Sequence, residues 1–248
     1  MKPGLEICAV SVASVINAEK AGAARVELCA GIYEGGVTPS YGIIASAKKY
    51  TSIDINVMIR PRGQDFCYSD IEFEIMKKDI EFCKELRVNG VVFGILNSDG
   101  TVDTQRCSEL VKVARPLHVT FHRAFDMTPD PYAALEDIIS TGADTILTSG
   151  QQNTAFRGRH LIAGLVKMAK GRIEIMAGGG INEENILKIK NDTGADFFHM
   201  SASKNIDSKM IYRKQGIYMG GMPGIPEYGI RESDTERIKK IKDILSER

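Results

Sequence analysis

Thr141-Gly142-Ala143-Asp144-Thr145-Ile146 is a stretch in which an amphipathic helical pattern stops at a glycine and a β-branched run begins. The same punctuation occurs at Ala21-Gly22-Ala23-Ala24-Arg25-Val26 and at Thr193-Gly194-Ala195-Asp196-Phe197-Phe198. Glycine tolerates the left-handed conformation that closes a helix, so the three stretches read as equivalent helix-to-strand turns. Working outward from them, eight short apolar or β-branched runs recur: Leu5 to Val10, Arg25 to Ala30, Asp54 to Arg60, Gly90 to Leu96, Leu117 to Arg123, Thr145 to Ser149, Glu174 to Gly178 and Asp196 to Ser201. Helical patterns of about 10 to 20 residues separate them. Strands alternating with helices imply parallel pairing through right-handed crossovers, and eight such units imply an α/β protein closed into a (β/α)8 TIM barrel.

No linker divides the 248 residues, a length that such barrels reach as a single domain, so one domain over residues 1–248 is expected. The least regular stretch, Lys204 to Ser233, is rich in Gly, Pro and Tyr and reads as a long loop before a final charged helix over residues 234–246. Thirty-two basic and 32 acidic residues cancel without a charged block, which argues against nucleic acid and membrane surfaces as partners. Glu6 stands where a signal peptide would need its apolar core, and no run approaches about 18 apolar residues, so a cytoplasmic protein is expected. Five cysteines without a CxxC suit reduced thiols better than disulfides or structural zinc.

Strands of a parallel barrel are buried on both faces, so the parity of their charged residues is informative. Glu6 and Cys8 share a face of the first strand, and Glu27 and Cys29 a face of the second. The common spacing of 21 residues suggests that Glu6 matches Glu27 and Cys8 matches Cys29 on neighbouring strands, with both pairs facing the barrel axis. Adjacent strands lie about 4.8 Å apart, close enough for two thiols to hold a soft, low-coordinate ion such as Cu(I). The plainer reading is that both cysteines are small core residues. On the third strand Asn56, Met58 and Arg60 point inward, and Arg60 is expected to pair with Glu27 or Glu6.

The loop Ile59-Arg60-Pro61-Arg62-Gly63-Gln64-Asp65-Phe66-Cys67-Tyr68-Ser69 sits where a strand meets a helix, the place where such folds keep their chemistry. His118, Thr120 and His122 share a face of the fifth strand, with His122 at its C-terminal end beside Asp126 and Ser149. The seventh strand ends in Gly178-Gly179-Gly180 before a plausible helix cap at Asn182, and the eighth ends in His199-Met200-Ser201. Backbone N–H groups at these two loops form the recurring phosphate cradle of many barrels.

Leu5-Glu6-Ile7-Cys8, Arg25-Val26-Glu27-Leu28-Cys29, Glu34-Gly35-Gly36-Val37-Thr38-Pro39-Ser40, the 59–69 loop, Thr120-Phe121-His122-Arg123-Ala124-Phe125-Asp126 and Leu147-Thr148-Ser149-Gly150 resemble the copper homeostasis protein family CutC. The likeness runs from the first strand through the eighth. It implies a cytoplasmic, dimeric (β/α)8 barrel concerned with copper tolerance or trafficking, with Cu(I) at Cys8 and Cys29 and Cys67 as a further thiol. Cys83 and Cys107 fall in helical patterns and read as structural.

Two functions are thereby expected. The first is Cu(I) binding by Cys8 and Cys29 within a polar shell of Glu6, Glu27 and Arg60. The second is an enzyme acting on a small phosphorylated or carboxylated metabolite, with His122 as acid/base group, Glu27 or Asp65 as its counterpart, Arg60 and Arg62 as anion clamps, and Gly178, Gly179, Gly180 and Ser201 as the cradle. A dimeric interaction module is the third option, and it leaves the charged mouth unexplained.

Overall fold

In the computed structural model, which describes residues 4–220 and 224–246, eight parallel strands close into a ring with each strand hydrogen-bonded to the next and the eighth to the first. In chain order the elements are β1 (Gly4–Ala9), α1 (Val12–Ala21), β2 (Arg25–Leu28), α2 (Tyr41–Tyr50), β3 (Asp54–Met58), α3 (Asp70–Glu85), β4 (Gly90–Phe93) and α4 (Thr104–Ala114). They continue with β5 (His118–Phe121), α5 (Pro131–Thr141), β6 (Thr145–Thr148), α6 (Ala155–Ala169), β7 (Glu174–Gly178), α7 (Ile186–Thr193) and β8 (Phe197–Met200). The ribbon strands β9 (Ser203–Asp207) and β10 (Gly229–Ser233) and the helix α8 (Thr235–Ser246) complete the chain.

The glycines that punctuate the sequence do what their chemistry allows. Gly22, Gly142 and Gly194 each end a helix at positive φ, and each cap N–H returns to a carbonyl of the last turn. One parity of each strand, including Ile7, Val26, Ile55, Val91, Val119, Ile146, Ile175 and Phe198, is buried against the helices. The other parity fills the barrel with the buried polar residues Glu6, Glu27, Asn56, Thr120 and Thr145, of which Glu6, Asn56 and Thr145 are hydrogen-bonded within the ring.

Two expectations about organisation are corrected. Residues 204–233 are not wholly a loop: β9 and β10 pair antiparallel from Ser203↔Ser233 to Asp207↔Gly229, although residues 221–223 lie outside the described residues. Ser233 joins this ribbon to α1, its N–H donating to Ser14 Oγ at 3.1 Å and its carbonyl accepting from Asn17 Nδ2 at 3.1 Å. Asn182 does not cap the seventh helix, which starts at Ile186. The Asn182 carboxamide instead accepts from Glu184 N at 3.0 Å in the preceding turn.

Candidate metal centre

The register between β1 and β2 pairs Glu6 with Arg25 and Cys8 with Glu27, so the expected equivalence of Glu6 with Glu27 and of Cys8 with Cys29 is wrong by two residues. Closing a barrel forces its strands to tilt and stagger, and equal spacing along the chain does not survive that stagger. The thiols meet nonetheless, with Cys8 Sγ 3.7 Å from Cys29 Sγ along a diagonal. Met58 and Val92 pack beside Cys29, with Cys8, Val10 and Ile32 around them, and give the sulfurs an apolar jacket.

Arg60 does not pair with Glu27 or Glu6. Its Nη1 donates to the carbonyls of Glu34 and Gly36 at 2.8 Å and its Nη2 to that of Gln64 at 2.7 Å. The partner of Glu6 is Arg25, whose Nε lies 2.6 Å from Glu6 Oε2, with Asn56 Nδ2 donating to the same oxygen at 3.3 Å. The other Glu6 oxygen lies 2.7 Å from His199 Nδ1. Although burial pushes Glu6 up, His199 and Arg25 hold its carboxyl down at about 2.

His199 is the residue that sequence reasoning passed over. Gly178 makes room for it from β7, because a Cβ there would lie 3.1 Å from the His199 Cβ. Its Nδ1 faces Glu6, and its Nε2 points toward Glu27 Oε2 at 3.7 Å. Cys8, Glu27 and His199 each offer one ligand atom within 4.8 Å of the other two. Burial drives Glu27 up to about 7 against the attraction of His199. Desolvation opposes the His199 charge, but Glu27, Cys8 and Glu6 together raise its pKa well above the ordinary imidazole value. The Cys8 thiol is raised by its hydrogen bond with Cys29 and by burial.

These groups open into a cavity of about 400 Å³, which is also lined by Arg60, His122, Arg123, Gly179, Gly180, Ser201 and Arg231. The structure gathers Cys8, Cys29, Glu27, Arg60, His122, Gly179, Gly180 and Ser201 around one mouth. Gly178 sits in β7 beneath them and serves packing against Leu147 and His199. Arg62 and Asp65 lie apart from the cavity lining. Arg62 spans Glu72 Oε1 at 2.6 Å and Asp65 Oδ1 at 2.9 Å, tying the loop to the capping box of Ser69 and Glu72 at the start of α3. Cys67 is exposed on that loop, while Cys83 and Cys107 are buried in helices α3 and α4.

Similarity to known proteins follows the same residues. The sequence profile of the CutC family matches residues 4–204. A CutC family protein of Parabacteroides distasonis is 54% identical over 240 residues, covering 96% of this chain and 99% of its own. The copper homeostasis protein cutC homolog of Homo sapiens is 45% identical over 240 residues, covering 97% and 88%. A solved CutC structure from Streptococcus agalactiae superposes with a TM-score of 0.77 at 37% identity, covering 80% of this chain and 98% of that one. With a closed barrel, a thiol pair at the C-terminal ends of its first two strands and relatives matched over nearly their full length, this chain belongs to the CutC family.

Proposed function

We propose that the protein binds Cu(I) at Cys8 and Cys29 and serves copper homeostasis. The observation that carries this reading is the 3.7 Å separation of the two sulfurs at the cavity, with a His199 ring nitrogen within 4.8 Å of Cys8 Sγ. Two thiolates and an imidazole are soft to borderline donors, the set that favours Cu(I) over hard cations. His199 suits the role because its Nδ1 is turned to the Glu6 carboxylate, which fixes the ring and leaves Nε2 on the side of Glu27 and Cys8. Loading the site displaces the protons that Cys8 and His199 hold in the free protein.

The resemblance adds a cytoplasmic setting and a homodimer to this reading. Five free cysteines support a reducing compartment, and no helix of the described residues is long and apolar enough to cross a membrane. Sedimentation velocity tests the dimer.

An anaerobic Cu(I) titration against a competing chromogenic chelator tests the copper site. The wild type is expected to withdraw stoichiometric Cu(I), and the Cys8→Ser, Cys29→Ser double variant none. Equal competition by both proteins would remove copper from these residues.

A further inference from the structure

The thiol pair uses only part of the cavity. β5 stands four strands from β1 in the ring, so His122 enters across the barrel axis from Cys8. His122 is 4% exposed, and its Nδ1 accepts the Ala124 N–H at 3.2 Å. A neutral imidazole whose Nδ1 accepts must carry its proton on Nε2, and that Nε2–H has no protein partner although it is buried. A Cβ on Gly94 would come within 2.7 Å of this ring, so the glycine is what admits it.

Arg60 is also 4% exposed, and its Nε–H is unpartnered. Its other donors reach only carbonyl oxygens, and among the described residues no carboxylate lies within 4.0 Å of it. A buried cation without a counter-charge is costly, and carbonyl dipoles compensate it in part. One ring fixes both donors: Phe66 lies 4.9 Å beneath the Arg60 guanidinium and 5.0 Å from the His122 ring centroid. Burial and the Arg60 charge hold His122 down at about 3, so the ring is neutral at neutral pH and its one proton sits on Nε2, opposite the accepting Nδ1.

A third unpartnered atom in the same lining, Glu27 Oε1, is an acceptor. Arg231, whose Nη2 donates to Ser201 Oγ at 3.3 Å, is a second cation with no carboxylate within 4.0 Å among the described residues. The cavity of about 400 Å³ falls in the range of small-molecule sites and exceeds what one metal ion fills.

We propose that Arg60 and His122 form a site for the oxyanion group, carboxylate or phosphate, of a small hydroxylated metabolite, separate from the thiol pair. The anion accepts the Arg60 Nε–H and the His122 Nε2–H, Arg231 and Ser201 border its remaining oxygens, and a hydroxyl of the ligand donates to Glu27 Oε1. The site does not depend on copper, so it is tested on copper-free protein.

Isothermal titration with inorganic phosphate, glycerol 3-phosphate and glycerate, with glycerol as the uncharged control, reads the site directly. Saturable binding of at least one anion and none of glycerol is expected. A preference between glycerol 3-phosphate and glycerate assigns phosphate or carboxylate. Arg60→Met and His122→Phe should each weaken the anion about tenfold or more, while Arg213→Met in the exposed segment between β9 and β10 should leave it unchanged. No saturable anion, or wild-type affinity in Arg60→Met and His122→Phe, overturns the proposal. If either variant fails to fold, ring-15N histidine spectra of the wild type decide. The His122 Nε2 resonance must shift with the tightest anion, and an unmoved resonance at saturation also overturns it.

Discussion

Cys29 lies two residues past Glu27, the register partner of Cys8, yet its sulfur comes within 3.7 Å of the Cys8 sulfur. Cys8 thus has neighbours on two sides, Cys29 along the diagonal and the Glu27 and His199 pair beside it, whereas Cys29 is jacketed by Met58 and Val92. The two thiols are not equivalent. Cys29→Ser leaves a thiolate and an imidazole and should retain weakened Cu(I) binding, while Cys8→Ser should lose it. Chelator competition on the single variants checks this, and equal losses would show that His199 is not a ligand.

His199 is the cation between two buried carboxylates, Glu6 and Glu27. Its replacement by Leu removes one partner of a buried ion pair and should destabilise the fold by about 3–5 kcal/mol. Urea unfolding at neutral pH measures the loss. His199→Gln keeps a donor toward Glu6 and should recover part of it, and a Leu variant as stable as wild type would show Glu6 to be satisfied by Arg25 and Asn56 alone.

His122 titrates at about 3 in the folded chain against 6.5 ordinarily, because burial and the Arg60 charge disfavour imidazolium. Between those values the unfolded chain binds more protons. The stability owed to this group is therefore complete above pH 6.5 and lost as pH falls toward 3. His122→Phe should flatten the dependence of unfolding free energy on pH by up to about 1.4 kcal/mol per unit. Urea titrations near about pH 6, 5 and 4 give both slopes, and parallel slopes would mean that the imidazole is already charged in the fold.

Helix α6 presses on the loop after β6 at a point where neither side has a side chain. A Cβ on Gly158 would sit 2.0 Å from the Ser149 carbonyl oxygen and 2.8 Å from Gly150 Cα. Gly158→Ala should cost about 1–3 kcal/mol by forcing α6 outward. It should also loosen the Ser149 hydroxyl, which accepts from Arg123 Nη2 at 2.7 Å at the cavity rim. Thermal unfolding and hydrogen exchange at the Ser149 to Gln151 amides report the two effects.

The barrel was legible because its signals are local. A glycine at a helix end and a two-residue alternation in a strand need only nearby neighbours, and Gly22, Gly142 and Gly194 behave as their spacing predicts. The identity of the mouth residues was legible for the same reason, since parity sends Cys8, Cys29, Arg60 and His122 inward. Pairings were not legible, because stagger between strands is a property of the closed ring. Parity alone offers Arg60 to Glu27 or Glu6, whereas the cation at the register position matching Glu6 is Arg25, one strand nearer. His199 shares parity with Ser201, which was singled out, and two inward carboxylates without a settled cation were the signal that should have found it. The β9 and β10 ribbon escaped notice because its first strand, Ser-Lys-Asn-Ile-Asp, is polar and without a buried face.

The contact between His199 and Glu6 spans 193 positions of the chain, whereas the two thiols are 21 apart. During synthesis Cys8 and Cys29 emerge together and early, but the imidazole arrives only when the eighth strand docks on the first, the last step of ring closure. A growing polypeptide therefore carries a bare dithiol for most of its elongation, open to any soft ion or oxidant it meets. Only the finished circle supplies the third donor, which makes the centre a record that the chain was built through β8.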